Sequence, residues 1–281
     1  MEELVEYSEE QFKQRLSITL ARLIINKTPI DQPIAFLLGG QAGSGKTILQ
    51  TMIDKKMNGN IIIINNDELK PLHPNYKKLS QKHGKEVTKL VTPFSSRMTE
   101  ELIDELSKRR YNLVIEGTLR TIETPKTTTK LLQERGYKVN LYVMAVSKQL
   151  SYVGTLTRFE DMFINNPLTA RETPKRIHDE MIDKLPVNID ELYQNNIFNE
   201  IHLFTRAKEH IYSSLKVTKS PRIFLESKLH ETVKAKRLDA YVARLFSKMQ
   251  ENKHDKGGMK EAILQHLNEY KAVKQPIKEK K

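Results

Sequence analysis

The 281-residue chain contains no cysteine and no tryptophan. The first absence excludes disulfide scaffolds, cysteine nucleophiles, thiolate zinc sites and iron–sulfur clusters. Aromatic residues amount to only 7%, so a stacking platform for single-stranded nucleic acid is not indicated. Long apolar runs are missing as well: the longest aliphatic block, Ile61–Ile64, is far too short to span a bilayer. The first residues, Met1-Glu2-Glu3-Leu4-Val5-Glu6, are acidic and lack the apolar stretch of a secretory signal, so a cytoplasmic chain without a membrane partner is expected. The eight histidines show no H-E-x-x-H or other metal spacing, so protein-ligated zinc is not expected.

What is present reads as a globular protein. Apolar residues make up 38% and charged residues 29%, in a chain long enough to bury a substantial core. Lys and Arg total 47 against 35 Asp and Glu, a formal net charge of +12. Such a balance favours anionic partners: nucleic acid, phosphorylated metabolites or an acidic protein. Part of the excess sits in residues 271–281, with five lysines and one glutamate, a tail expected to be disordered.

Apolar runs alternate with helical patterns. Strands are predicted at 34–38, 61–64, 113–115, 139–146 and 201–204, each a short buried-type run. Ser8–Gln11 has the form of a capping box before an amphipathic helix carrying Phe12, Leu16 and Leu20. Thr124-Pro125 and Thr173-Pro174 each read as an N-cap followed by proline at the first helical position. A long helix is predicted over 149–164, broken by Asn165-Asn166-Pro167. The alternation predicts an α/β domain with a mainly parallel sheet flanked by helices over residues 1–225. Residues 226–281 turn polar and helical and read as a C-terminal extension.

One motif carries most of the chemistry. Gly40-Gln41-Ala42-Gly43-Ser44-Gly45-Lys46-Thr47 satisfies G-x-x-x-x-G-K-[ST], with an apolar strand before it and a helix after it. Glycines let backbone N–H groups converge on phosphate oxygens, and the helix N-terminus adds positive potential. Lys46 is expected on the β- and γ-phosphates of ATP, and Thr47 on the accompanying Mg²⁺. No guanine-reading Asn-Lys-x-Asp follows, and no long strand ends in the acidic pair of a motor ATPase. A small-molecule kinase is the class that remains.

In an open parallel sheet, ligands bind beyond the carboxyl ends of the strands. The second strand ends in Asn65-Asn66-Asp67 and the third in Glu116-Gly117-Thr118-Leu119-Arg120, which places two carboxylates on the rim beside the loop. A kinase needs one to accept the proton of the attacked hydroxyl. Strand-end Asp also caps turns, so Asp67 alone decides nothing. Arg158 on the long helix and Arg171 in a lid expected near 165–174 could neutralise the transferring phosphoryl group. Glu100 lies off the apolar stripe of its helix, which by itself reads as a solvated carboxylate.

These residues resemble a known family. The P-loop from Gly39 to Thr47, Asn66-Asp67, His73-Pro74-Asn75, Val91-Thr92-Pro93 with Arg97-Met98-Thr99-Glu100, Tyr111 to Thr118, Tyr142 to Val146 and Pro167 to Arg171 are similar to the blocks of zeta toxins, in the same order. The resemblance runs from about residue 34 to 215 and implies a P-loop kinase fold. It implies an ATP- and Mg²⁺-dependent toxin that phosphorylates the 3-hydroxyl of the amino sugar of UDP-N-acetylglucosamine and so blocks peptidoglycan synthesis. By position, Asp67 matches the catalytic base, Lys46 the P-loop lysine, and Arg158 and Arg171 the phosphate-binding arginines. Glu100, Glu116, Thr118 and Arg120 match the sugar-nucleotide pocket. A small antitoxin that covers the ATP site, in a heterotetramer, is implied too. One departure stands out: Asn65 occupies a position where the family carries Asp. Two other readings stay open, a P-loop polynucleotide kinase favoured by the basic charge and an ATP-binding regulatory module without catalysis.

Overall fold

The computed structural model describes residues 2–255 and 257–272. The chain forms one six-stranded sheet in the order β2-β3-β1-β4-β5-β6, with β1 at Ile34–Gly39, β2 at Ile62–Ile64, β3 at Leu113–Glu116, β4 at Lys138–Met144, β5 at Glu200–Phe204 and β6 at His210–Ser213. β1 to β5 pair in parallel, and β6 closes the edge antiparallel to β5. The five expected strands are therefore present with boundaries within two residues, and β6 is an addition. Crossover helices on both sides of the sheet keep the parallel strands buried on both faces.

Alternation along the strands divides the core in two. Leu37, Leu141 and Val143 face the layer built by the helices Glu9–Leu23, Thr92–Lys108, Glu123–Glu134 and Lys175–Gln194. Phe36, Leu38, Tyr142 and Met144 face the opposite layer, with the helices Thr47–Lys56, Lys148–Asn165 and Ala235–Glu251. The last of these comes from the predicted C-terminal extension. Its Leu238, Val242, Leu245 and Met249, at helical spacing, are buried against the sheet layer. Cutting one such side chain back to Ala costs about 2–5 kcal/mol, so this helix is integral to the core. The basic tail beyond residue 272 lies outside the described residues.

Side-chain caps open several helices, as where Ser147 and Ser220 accept the Leu150 and Arg222 N–H groups. Ser8 and Gln11 form the expected reciprocal capping box. The two Thr-Pro expectations need correction. The helix at 123 starts ahead of Pro125, with Ile122 as its N-cap, and the proline is accommodated in the first turn, where a backbone N–H has no intrahelical partner. The helix at 175 has Pro174 itself as the N-cap, without a side-chain cap bond from Thr173. Among the described residues no helix is long and apolar enough to cross a membrane.

Several residues of the family-like blocks serve the frame. The buried His73 sets Nε2 3.1 Å from the Val5 carbonyl. Arg97 lies over the Phe12 ring at 3.8 Å and pairs with Glu9 at 2.7 Å. Asn112 accepts the Ile34 N–H at 2.9 Å and donates to the Asn60 carbonyl at 3.0 Å, joining the starts of β1 and β2.

Candidate active site

β1 lies between β3 and β4, so the chain leaves its carboxyl end at the point where strand order reverses. Residues 40–47 turn there and run into the Thr47–Lys56 helix, for which Lys46 is the N-cap. Gly43 has φ +69°, and a Cβ on it would lie 2.2 Å from the Ser151 carbonyl oxygen and 2.5 Å from the Thr155 nitrogen. Facing it, a Cβ on Gly154 would meet the Gly43 carbonyl oxygen at 2.3 Å. Two glycines thus let the loop and the Lys148–Asn165 helix touch backbone to backbone. Only the first belongs to the sequence motif.

The loop is held by Arg206, which follows β5 and which sequence reasoning missed. Its Nε donates to the Ser44 carbonyl at 3.2 Å, and its NH2 group donates to the Gly43 carbonyl. Gln41, fully buried, donates to the Val146 carbonyl at 2.7 Å. The loop presents Gly43, Gly45, Lys46 and Thr47 to a cleft of about 740 Å³, which Arg206 also lines. Backbone of this form, a lysine and a helix N-terminus fit the phosphates of a nucleotide. Ala42 lies half-buried in the same turn.

The same cleft carries the acceptor-side candidates. Asn65 caps the short Asn66–Leu69 helix, its Oδ1 accepting the Asp67 N–H at 3.0 Å. Asn66 is tied to Thr99 and Ser95 at 3.2 and 3.0 Å, which anchors the backbone under Asp67. The Asp67 carboxylate is gripped by three cations: Lys70 at 2.7 Å, Arg171 at 2.7 Å and Arg158 at 3.1 Å. Burial alone would raise its pKa. The hydrogen bonds and charges of Lys70 and Arg171 outweigh that and hold the carboxyl well below the usual range, so Asp67 is ionised.

Glu116 lies next to it in a different state. It accepts from Gln50 at 2.7 Å and from Asn65 at 3.1 Å, with Lys46 Nζ 3.9 Å away. Burial raises its pKa, and the charges of Lys46 and Arg158 oppose the rise without cancelling it. Lys46, which also donates to the Gly40 carbonyl at 3.1 Å, is shifted down by burial against the opposing pull of Glu116. Two carboxylates with divergent pKa values beside one P-loop lysine suit phosphoryl transfer to a hydroxyl.

The remaining candidates are scattered. Glu100 is exposed and does not line the main cleft. Thr118 and Arg120 line a smaller cavity of about 210 Å³ that meets the main cleft only at Glu116. No group of His, Asp and Glu that could hold a metal ion by itself occurs among the described residues. Thr47 opens the helix after the loop and lines the cleft.

Fold and cleft define a P-loop kinase architecture. Comparison with known proteins makes this specific: the zeta toxin family profile matches residues 20–216, and the chain belongs to that family. It is 43% identical over 278 residues to a zeta toxin of Streptococcus pyogenes, covering 99% of this chain and 93% of that one. It is 40% identical over 227 residues to the toxin PezT of Streptococcus pneumoniae, covering 81% of this chain and 90% of that one. A solved structure from the PezAT chromosomal toxin–antitoxin system of S. pneumoniae superposes with a TM-score of 0.81 at 35% identity, covering 88% of this chain and 99% of that one. The AvrRxo1-ORF1:-ORF2 structure with ATP shares the fold, with a TM-score of 0.57 at 18% identity over 94% of this chain and 88% of that one.

Proposed function

We propose that the chain is the toxin of a toxin–antitoxin pair and acts as a kinase, moving the γ-phosphoryl group of ATP to the 3-hydroxyl of the amino sugar of UDP-N-acetylglucosamine. The observation that carries the kinase reading is the placement of Lys46, Asp67, Arg158 and Arg171 around one cleft. Family membership supports the toxin role and the sugar-nucleotide acceptor. The PezAT relative supports an antitoxin partner.

In this reading Lys46 and the loop N–H groups hold the β- and γ-phosphates, and Thr47 places its hydroxyl on Mg²⁺. The metal supplies charge neutralisation on the phosphate oxygens. Asp67 orients the sugar hydroxyl and takes its proton as the new O–P bond forms and the β–γ bridge breaks. In the structure Asp67 is a weak base, because cations surround it. When Arg158 and Arg171 turn to the phosphoryl oxygens, two of those partners leave and its proton affinity rises. The same arginines therefore couple phosphate binding to base strength. Glu116 and Asn65 brace the floor between loop and base.

The test is metabolite extraction from bacteria expressing the chain without antitoxin. A phosphorylated UDP-N-acetylglucosamine should accumulate as growth stops, and co-expression of the antitoxin should suppress both. Growth arrest with that pool unmodified would refute the acceptor assignment.

A further inference from the structure

The three cations on Asp67 are divided between its two oxygens. Lys70 Nζ holds Oδ1 at 2.7 Å. The Arg158 and Arg171 guanidinium groups both lie on Oδ2, at 3.1 and 2.7 Å. The elements that carry them differ as well. Lys70 follows directly on the Asn66–Leu69 helix, about one turn after Asp67, so the two side chains share one piece of backbone. That backbone is pinned at both ends. Asn66 is tied to the Thr92–Lys108 helix, Pro71 fixes the turn after Lys70, and the Lys70 carbonyl accepts the His73 N–H at 3.2 Å. Arg158 belongs to the Lys148–Asn165 helix and Arg171 to residues 166–174, which lie outside helix and strand. Lys70 is also the most enclosed of the three, its side chain 12% exposed against 27% for Arg171 and 53% for Arg158. A cation this far from water that lost its carboxylate would be left uncompensated. The arginines are therefore the partners free to exchange, and the lysine is the one that stays.

We propose that Lys70 is a positioning residue for the transfer, holding Oδ1 throughout so that Oδ2 is the oxygen that the arginines release and that takes the sugar hydroxyl proton. The proton passes to Oδ2 as the new O–P bond forms and the β–γ bridge breaks, with ADP leaving. This rests on the kinase reading above, and the experiment separates the two. Once the arginines have turned, the charged groups around Asp67 are Lys70 and Glu68 from its own turn, Lys46 from the loop and Glu116 from β3, with the Tyr76 phenol near Arg171. Of these, among the described residues, Lys70 is the one that bonds the carboxylate, and it opposes the rise in proton affinity that burial brings.

The pH dependence of kcat is measured with saturating ATP–Mg²⁺ and UDP-N-acetylglucosamine for the wild type, Lys70→Met and Lys70→Arg. This parameter reports the substrate complex, where Lys70 is the partner that remains. Lys70→Met removes the charge and should move the acid limb up by about 1–2 pH units, the effect of one opposite charge at bonding distance. Titration of ATP itself is common to all three proteins and drops out of the difference. Lys70→Arg restores a cation and should return the limb to the wild-type position. If melting shows Lys70→Met unfolded, Lys70→Gln carries the same prediction. An acid limb that stays in place without the charge, or that moves equally in Lys70→Arg, overturns the inference. So does a loss expressed only as a higher KM for the sugar nucleotide, which makes Lys70 a substrate binder. A wild type that transfers no phosphoryl group to UDP-N-acetylglucosamine overturns the kinase reading, and this inference with it.

Discussion

Replacing Asp67 with Asn keeps the side chain's shape and removes its charge. Three cations lose their shared partner, at 2.7, 2.7 and 3.1 Å. The cost in stability is modest because the carboxylate and Arg158 are 37% and 53% exposed, so water screens the pairs. We expect about 1 kcal/mol, or roughly 2–4 °C in Tm for a chain of this size. The asparagine no longer holds Arg158 and Arg171, so binding the γ-phosphate requires no exchange of partners. ATP affinity should hold or tighten by about fivefold, the equivalent of roughly 1 kcal/mol of ion pairing. Turnover should fall by about 10²–10⁴, or roughly 3–5 kcal/mol on the barrier. Calorimetric titration, thermal melting and a steady-state kinase assay on one preparation measure all three. Turnover within threefold of wild type would remove Asp67 from the base role. Weaker ATP binding would instead refute the proposed hand-over of the arginines.

Lys46→Ala should abolish toxicity while leaving the melting curve nearly unchanged, since Lys46 lines the cleft and its Nζ reaches the Gly40 carbonyl at 3.1 Å and Glu116 at 3.9 Å. Gly154→Ala would drive a Cβ to 2.3 Å from the Gly43 carbonyl, and we expect a destabilisation of about 1–3 kcal/mol with loss of ATP binding by titration. Burial raises the Glu116 pKa, so its ionisation opposes folding once pH rises through the ordinary carboxylate range. Glu116→Gln should therefore melt at an equal or slightly higher temperature at pH 7, with the difference gone below about pH 4, where the wild-type carboxyl is protonated in both folded and unfolded chains. Asp67 is shifted the other way, so its ion cluster should contribute at pH 7 and persist at pH 4, being lost only as pH falls below the usual carboxylate range.

The parts of this site that lie in continuous motifs were legible in the sequence. An apolar run, a glycine turn and a helix start identify the P-loop, and the strand-end rule puts Asp67 and Glu116 beside it. The two arginines, one on the long helix and one in the proline-broken segment after it, could be singled out by position, and both reach Asp67. Arg206 was not legible, because it follows β5 without a pattern and reaches the loop only through tertiary contact. Gly154 reads as an ordinary helical glycine until the loop is packed against it. β6 is a short, polar edge strand whose pairing depends on β5, so it lacks the apolar run that marked the others. The Ala235–Glu251 helix shows its amphipathic spacing plainly, but spacing does not name the sheet face it covers. Glu100, drawn to the site by family resemblance, stands exposed on its helix.

The most direct measurement is phosphoryl transfer by the purified chain. ATP carrying an isotopic label on the γ-phosphate is incubated with Mg²⁺ and UDP-N-acetylglucosamine, and products are resolved by mass. The expected result is a labelled sugar nucleotide heavier by one phosphoryl group, formed by the wild type and missing with Lys46→Ala. Label recovered only as inorganic phosphate, or retained on ATP that is demonstrably bound, would contradict the assignment of this cleft as a sugar-nucleotide kinase site.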